Sequence, residues 1–292
     1  MVRARSRPRH RLAGLLGLAL AAALISQPAR ASGMDDLPGA DAQQTEGLMG
    51  IPVAHERQIG SHMAARLLGA IPPVEDATVQ RYVNRVGRWV AEHSSRPDLD
   101  WRFAVLDSPA INGFAAPGGH VFITRGLVLL MESEAELAAV LGHEIAHVTQ
   151  RDHLEALAAR RRVRIATDLL HQTAGGNADE RQLLRLAHQA TRLYTLGLSE
   201  QDEYDADRIG AALAARAGYD PWGLTHTLTT LTALDPVVPA MKLHSGTHPP
   251  PRARRETLVN ALDILLEDHG PGARPVERFR AIQQRLSAES PH

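Results

Sequence analysis

The sequence predicts an α+β chain, mostly helical, in which a small β-sheet comes directly before one central helix. Three observations carry this. Apolar residues recur at helical spacing through most of the chain beyond residue 50. Between residues 101 and 124 the pattern changes to short β-type runs broken by turn residues. Straight after them, Leu137, Val140, Leu141, Ile145 and Val148 return to helical spacing. Ser133-Glu134-Ala135-Glu136 opens that run with a cap residue and a Glu at the third helical position.

Composition narrows the function classes. The formal net charge of −1 leaves no global electrostatic case for nucleic acid. There are no cysteines, which excludes disulfides, thiolate metal sites and lipid acylation, so any metal must rely on histidine and carboxylates. Aromatics make up only 4%, so the core must be aliphatic. Residues 1–31 read as an export signal. Arg3, Arg5, Arg7, Arg9 and Arg11 form a basic start, Leu12 to Ile25 a short apolar run, and Ala29-Arg30-Ala31 a cleavage site. An uncleaved anchor is the alternative. Nothing downstream reads as a membrane span, so none is expected after signal removal.

Residues 32–50 read as a flexible leader and residues 51–292 as a single domain. A first helix is expected from Val53 to Leu68, broken by Ile71-Pro72-Pro73. A second runs from Val74 to His93, with Val79, Tyr82, Val83, Val86 and Val90 inward. Strands follow at 101–106, 111–116 and 120–124, with Pro117-Gly118-Gly119 as a turn. Beyond the central helix, 152–197 reads as helical, with a basic run at Arg160 to Arg164 and a polar loop at 171–177. A helix from Ser199 to Ala217 ends at Gly218, and Pro221 opens another to Leu234. Asp235 to Pro251 reads as loop, and helices at Arg252–Asp268 and Val276–Ser287 close the chain.

The central helix carries His143-Glu144-Ile145-Ala146-His147. Histidines four apart share one helix face and can grip one zinc ion. Glu144 lies beside the first, placed to take a proton from a water at the metal. H-E-x-x-H has three fixed positions and occurs by chance, so a third ligand is needed. Ser199-Glu200-Gln201-Asp202-Glu203-Tyr204-Asp205-Ala206-Asp207 supplies a candidate. Glu203 and Asp207 are again four apart. Glu203 would complete a His₂Glu site, and Asp207 would accept the N–H of a ligating imidazole, expected to be His143. An acidic solvated helix is the alternative, weakened by Ala206, Ile209, Leu213 and Ala214, which make this helix amphipathic.

With these motifs assembled, the chain resembles the HtpX/BepA/LoiP-type zinc metallopeptidases, the group that includes the CAAX prenyl endopeptidases. The resemblance spans about Val53 to Leu266. Tyr82-Val83-Asn84-Arg85-Val86-Gly87 is similar to a helix at the start of that domain. Asn112-Gly113-Phe114-Ala115-Ala116-Pro117-Gly118-Gly119 is similar to its N-A-F-A-x-P-G-G strand and turn. The zinc helix, Glu203-x-x-x-Asp207 and Thr247-His248-Pro249-Pro250 match its later motifs in order. Gly113 stands where Ala is usual, which is expected to be harmless, and Glu200 where Arg is common. The minimal exported LoiP type, without its lipid anchor, is the nearest pattern.

The resemblance implies a zincin-like metalloprotease fold, one Zn²⁺ per chain, and a periplasmic endopeptidase, with membrane association as a secondary option. It implies unfolded or misfolded envelope proteins as substrates, and outer-membrane assembly factors as candidate partners. His248 and Arg254 are candidates to meet the charge developing on the substrate oxygen. For His248 the favoured reading is a resting-state latch over the zinc that swings away when substrate arrives, with oxyanion stabilisation and a surface residue as the alternatives. Asn112 and the strand His120, Val121, Phe122, Ile123 and Thr124 are candidates to receive an extended peptide on a sheet edge. The competing class is a metal-stabilised chaperone or adaptor that binds such chains without cutting. Other histidines, among them His55, His62, His93, His120, His153, His171, His188, His226 and His269, are expected in surface or local contacts.

Overall fold

Helix α1 (Val53–Ala70) runs into the break at Ile71-Pro72-Pro73, and α2 (Ala77–Ala91) starts only after Asp76. The Asp76 carboxylate caps α2 by accepting from the Thr78 and Val79 amides. The expected start at Val74 is three residues early because Pro73 and Val74 pair with the sheet instead. The computed structural model describes residues 53–159, 198–234, 239–265, 270 and 272–288, which belong to one compact unit. The signal at 1–31, the leader, the basic run, the polar loop, His171, His188 and His269 lie outside the described residues.

Three strands follow: β1 (Arg102–Leu106), β2 (Gly113–Ala116) and β3 (His120–Thr124). Their order is β1-β3-β2, with β3 parallel to β1 and antiparallel to β2. This corrects the docking expectation for His120 to Thr124. That strand is central, its backbone groups pair on both sides, and it offers no free edge. Thr124 is also committed: its hydroxyl receives the Asn112 amide at 3.0 Å, donates to the Asn112 carbonyl at 2.9 Å, and caps the following helix. The outer side of β1 is closed by α2. Gln80 accepts from the Val105 amide and donates to its carbonyl, both at 2.9 Å, and Asn84 makes the same pair of bonds with Phe103. Two side-chain amides thus stand in for a missing strand. β2 is the edge strand beside the functional cleft.

Helix α3 (Arg125–Leu130) leads into α4 (Glu134–Gln150), which carries H-E-x-x-H. Ser133 caps α4 through the Glu136 amide. Every residue of α4 from Glu134 to Val148 is buried. The apolar stripe read from the sequence understates this, because a helix buried on all sides lies inside a core. Its N-terminal turn is anchored by Glu134, which accepts from the hydroxyls of Tyr82 and Tyr219 and from Arg278. Arg151, at φ 63°, ends the helix, and residues 152–159 are helical again.

Helix α5 (Glu200–Arg216) begins in a capping box formed by Ser199 and Asp202. It packs most extensively on α4. The crossing is backbone to backbone: a Cβ on Gly142 would lie 2.7 Å from the Gly210 carbonyl oxygen, and one on Gly210 would lie 2.5 Å from the His143 nitrogen. Helices α6 (Gly223–Ala233), α7 (Lys242–Thr247), α8 (Pro251–Leu265) and α9 (Glu277–Ala288) complete the described chain. The expected loop from Asp235 to Pro251 is therefore partly helical. Ser245, Gly246 and Thr247 lie in α7, and His248 leaves it in an extended conformation. No described helix is long and apolar enough to cross a membrane.

Candidate active site

Helix α4 presents His143 and His147 one turn apart, with their Nε2 atoms 3.1 Å from each other. The close α4–α5 crossing brings Glu203 to both: its carboxylate oxygens lie 3.7 Å from His143 Nε2 and 3.7 Å from His147 Nε2. All three residues are buried, and their ligand atoms fall within 4.8 Å of one another. Glycine at 142 and 210 removes the two methyl groups that would hold the helices apart. The acidic helix read from the sequence divides into two faces. Asp202 serves the cap and Asp205 faces Arg208, while Glu203 and Asp207 turn inward.

Each of the two imidazole rings is held from behind. Asp207 meets His143 Nδ1 at 2.9 Å, and Asp152 meets His147 Nδ1 at 2.7 Å. Such bonds fix ring orientation and leave the Nε2 lone pairs for a metal. Asp152 was not identified from the sequence. It follows the left-handed turn at Arg151, which folds it back onto its own helix. Its one signal was its place five residues after His147.

Arg254 is 3% exposed, while Arg252, two residues before it, is exposed to solvent. Its Nε and Nη2 bond Asp207 at 2.9 and 2.5 Å, and its Nη1 lies 3.5 Å from Glu203 Oε2. Burial would raise the Asp207 pKa, but Arg254 and His143 hold it well below the carboxylate range.

The charge balance tests whether a metal fits. Glu144, Asp152, Glu203 and Asp207 are four buried carboxyls facing one buried guanidinium. Burial raises the pKa of Glu203 and Asp152, and pushes Glu144 up to about 7. Glu203 Oε2 is buried without a hydrogen-bond partner. Carboxyls crowded in a buried site and an orphaned carboxylate oxygen beside two imidazoles are what a divalent cation satisfies. The donor set of two nitrogens and a carboxylate suits zinc.

The cleft in front of these ligands is lined by Asn112, Gly113, Glu144, His147, His153 and His248, among others. Asn112 is 1% exposed, and both polar atoms of its side chain lack partners. A Cβ at Gly113 would lie 2.4 Å from Glu144 Oε1, the movable end of that side chain. His248 Nε2 is 3.9 Å from Glu203 Oε2, its Nδ1 is 2.8 Å from the Thr247 hydroxyl, and its ring stacks on His244 with centroids 4.6 Å apart. His143, Glu144 and His248 also form a group able to share a metal. His153 takes the local-contact option: it is buried edge-on against His147, where burial drops its pKa to about 3. His120 to Thr124 does not line this cleft.

Comparison with known proteins agrees with this geometry. The model of peptidase family M48 matches residues 77–262, more than half of the chain. The β-barrel assembly-enhancing protease of Escherichia coli K12 is 30% identical over 227 residues, covering 74% of this chain and 45% of that protein. Its namesake in Yersinia pestis is 29% identical over 258 residues, covering 83% and 51%. The mitochondrial metalloendopeptidase OMA1 of Schizosaccharomyces pombe is 32% identical over 178 residues, covering 59% and 50%. The chain thus spans about half the length of these relatives. The family model takes in both the H-E-x-x-H helix and the Glu203–Asp207 helix that crosses it, and the chain belongs to peptidase family M48, a metallopeptidase family.

Proposed function

We propose that this protein is a zinc endopeptidase of the cell envelope that hydrolyses peptide bonds in unfolded or misfolded proteins. The observation that carries the reading is the pairing of a three-residue metal site with Glu144 and an unpartnered Asn112 amide in one cleft. His143, His147 and Glu203 would hold the zinc, which when bound supplies a Lewis acid and makes water a stronger acid. Glu144 takes the proton of the attacking water and delivers it to the leaving amine. A carboxyl in the same cleft as the metal ligands suits both tasks. Asn112 offers one donor and one acceptor, the complement of a peptide group in an extended substrate. Asp207 and Asp152 keep the two rings aimed, and Arg254 keeps Asp207 charged.

His248 lines the cleft and could share one cation with His143 and Glu144. We assign it the role of a resting-state latch that swings away when substrate arrives. Names of relatives that refer to β-barrel assembly support a link to outer-membrane assembly factors, and periplasmic residence follows from reading residues 1–31 as an export signal. The competing reading is a metal-stabilised chaperone or adaptor. The test is digestion of casein and of an unfolded outer-membrane protein by zinc-loaded wild type and Glu144→Gln. Loss of about 100- to 10,000-fold in cleavage with zinc retained supports the peptidase. Binding by both proteins without cleavage by either supports the chaperone.

A further inference from the structure

Helix α1 carries none of the motifs of the metal site, yet it grips the end of the helix that does. Ile59 and Met63 of α1 pack against Ala116 at the end of β2 and against Leu154 and Leu157, just beyond α4. Gly60 lies so close to the β2–β3 turn that a Cβ there would stand 1.7 Å from the Pro117 carbonyl oxygen. α1 is thus wedged between the edge strand of the cleft and the segment that follows α4. One turn before Gly60 comes Glu56, whose carboxylate is buried. It gathers three partners from three places. Arg96, from the connection between α2 and β1, bonds its two oxygens at 2.8 and 3.2 Å. The Gly118 amide donates to it at 3.2 Å, and Arg151 Nε lies 3.3 Å away.

Both arginines lead back to α4. Arg96 also donates to the Val148 carbonyl at 3.3 Å, one residue after His147. Arg151 is the left-handed residue whose amide closes the last turn of α4 on the His147 and Val148 carbonyls. A residue with a Cβ is uncommon in that conformation and persists where its surroundings hold it. The next residue is Asp152, which meets His147 Nδ1 at 2.7 Å. A route of contacts therefore runs from Glu56 through Arg151 and Asp152 to His147. A buried ion pair stabilises a fold little more than apolar packing would, but it fixes directions.

We infer that Glu56 is a positioning residue for the metal site: by fixing Arg151 it sets the turn from which Asp152 aims His147. Glu56 lines no part of the cleft and acts only through these neighbours. The inference rests on the zinc site of the peptidase reading and extends that site to a helix outside the cleft.

The experiment is a double-mutant cycle on zinc affinity, read by chelator competition, with thermal melting of the metal-free proteins beside it. Glu56→Gln keeps the size of the side chain and an oxygen for the Gly118 amide, and removes the charge that holds the two arginines. It should lower zinc affinity about 3- to 10-fold, less than the loss of Asp152 itself, because it loosens that residue without removing it. In an Asp152→Asn background the same change should cost less than about twofold, because the route it acts through is already cut. Arg151→Gln should reproduce the loss, and adding Glu56→Gln to it should again cost less than about twofold. Glu56→Asp keeps the charge but draws it back from both arginines, and must show the same dependence on Asp152 if Glu56→Gln fails to fold. A role confined to docking α1 would lower Tm and leave zinc affinity unchanged, or lower affinity equally in both backgrounds. Either result overturns the inference. Cleavage of casein by the wild type is scored separately. Coupling of Glu56 to Asp152 in a protein that binds zinc and cuts nothing would retain the inference and reject the peptidase. Cleavage with Glu56 and Asp152 acting independently would retain the peptidase and reject the inference.

Discussion

Replacing Gly210 by Ala should damage the metal site without touching a ligand. The new methyl would start 2.5 Å from the His143 nitrogen and 2.8 Å from its Cα. Ordinary contact needs about 3.5–4.0 Å, so α5 must retreat from α4 by about 1 Å. That retreat would stretch the Asp207–His143 bond from 2.9 Å to beyond hydrogen-bond range and carry Glu203 off both imidazoles. Metal sites tolerate errors of about 0.2 Å, and losing an outer partner alone typically costs about 10- to 100-fold in affinity. Overpacking adds about 1–3 kcal/mol of destabilisation, a fall of roughly 2 to 12 °C in Tm for a domain of this size. The assay is zinc affinity by chelator competition, with thermal melting of the metal-free protein beside it. Gly246→Ala is the control, since nothing lies within 4 Å of a Cβ there. A Gly210→Ala protein that binds zinc and melts like wild type would refute the argument that the glycine crossing builds the site.

Asp152→Asn should keep the fold and lower zinc affinity about 10- to 100-fold, measured by the same competition, because the His147 ring loses its charged anchor. Unchanged affinity would make that contact incidental. His248→Ala should raise basal or self-cleavage with zinc still bound by three residues. A fall in cleavage at full zinc content would reject the latch and favour hydrogen bonding to the developing oxyanion.

Much of this site was legible in the sequence because its parts are local. Histidines four apart and carboxylates four apart must share helix faces wherever the helices lie. Helix caps and proline breaks are equally local, which is why Ser133, Ser199 and Pro72-Pro73 mark their elements. What depended on tertiary pairing was not legible. The strand 120–124 and the strand 113–116 look alike in pattern, and only the sheet order makes the first central and the second an edge. Asp152 reaches His147 only because Arg151 adopts a left-handed turn, and His153 is buried only by what folds over it. The segment 239–247 has no strong helical period, yet packing makes it helical. Nothing local marks Gly142 and Gly210 as the point where two backbones touch.

The central claim is that His143, His147 and Glu203 together hold one zinc ion. Its most direct test is the zinc content of purified wild type and Glu203→Ala after dialysis against a weak chelator. The expected result is one zinc per chain in the wild type and a large loss in the variant, with the variant still folded by circular dichroism. Full occupancy in Glu203→Ala, or no zinc in the wild type, would contradict the claim.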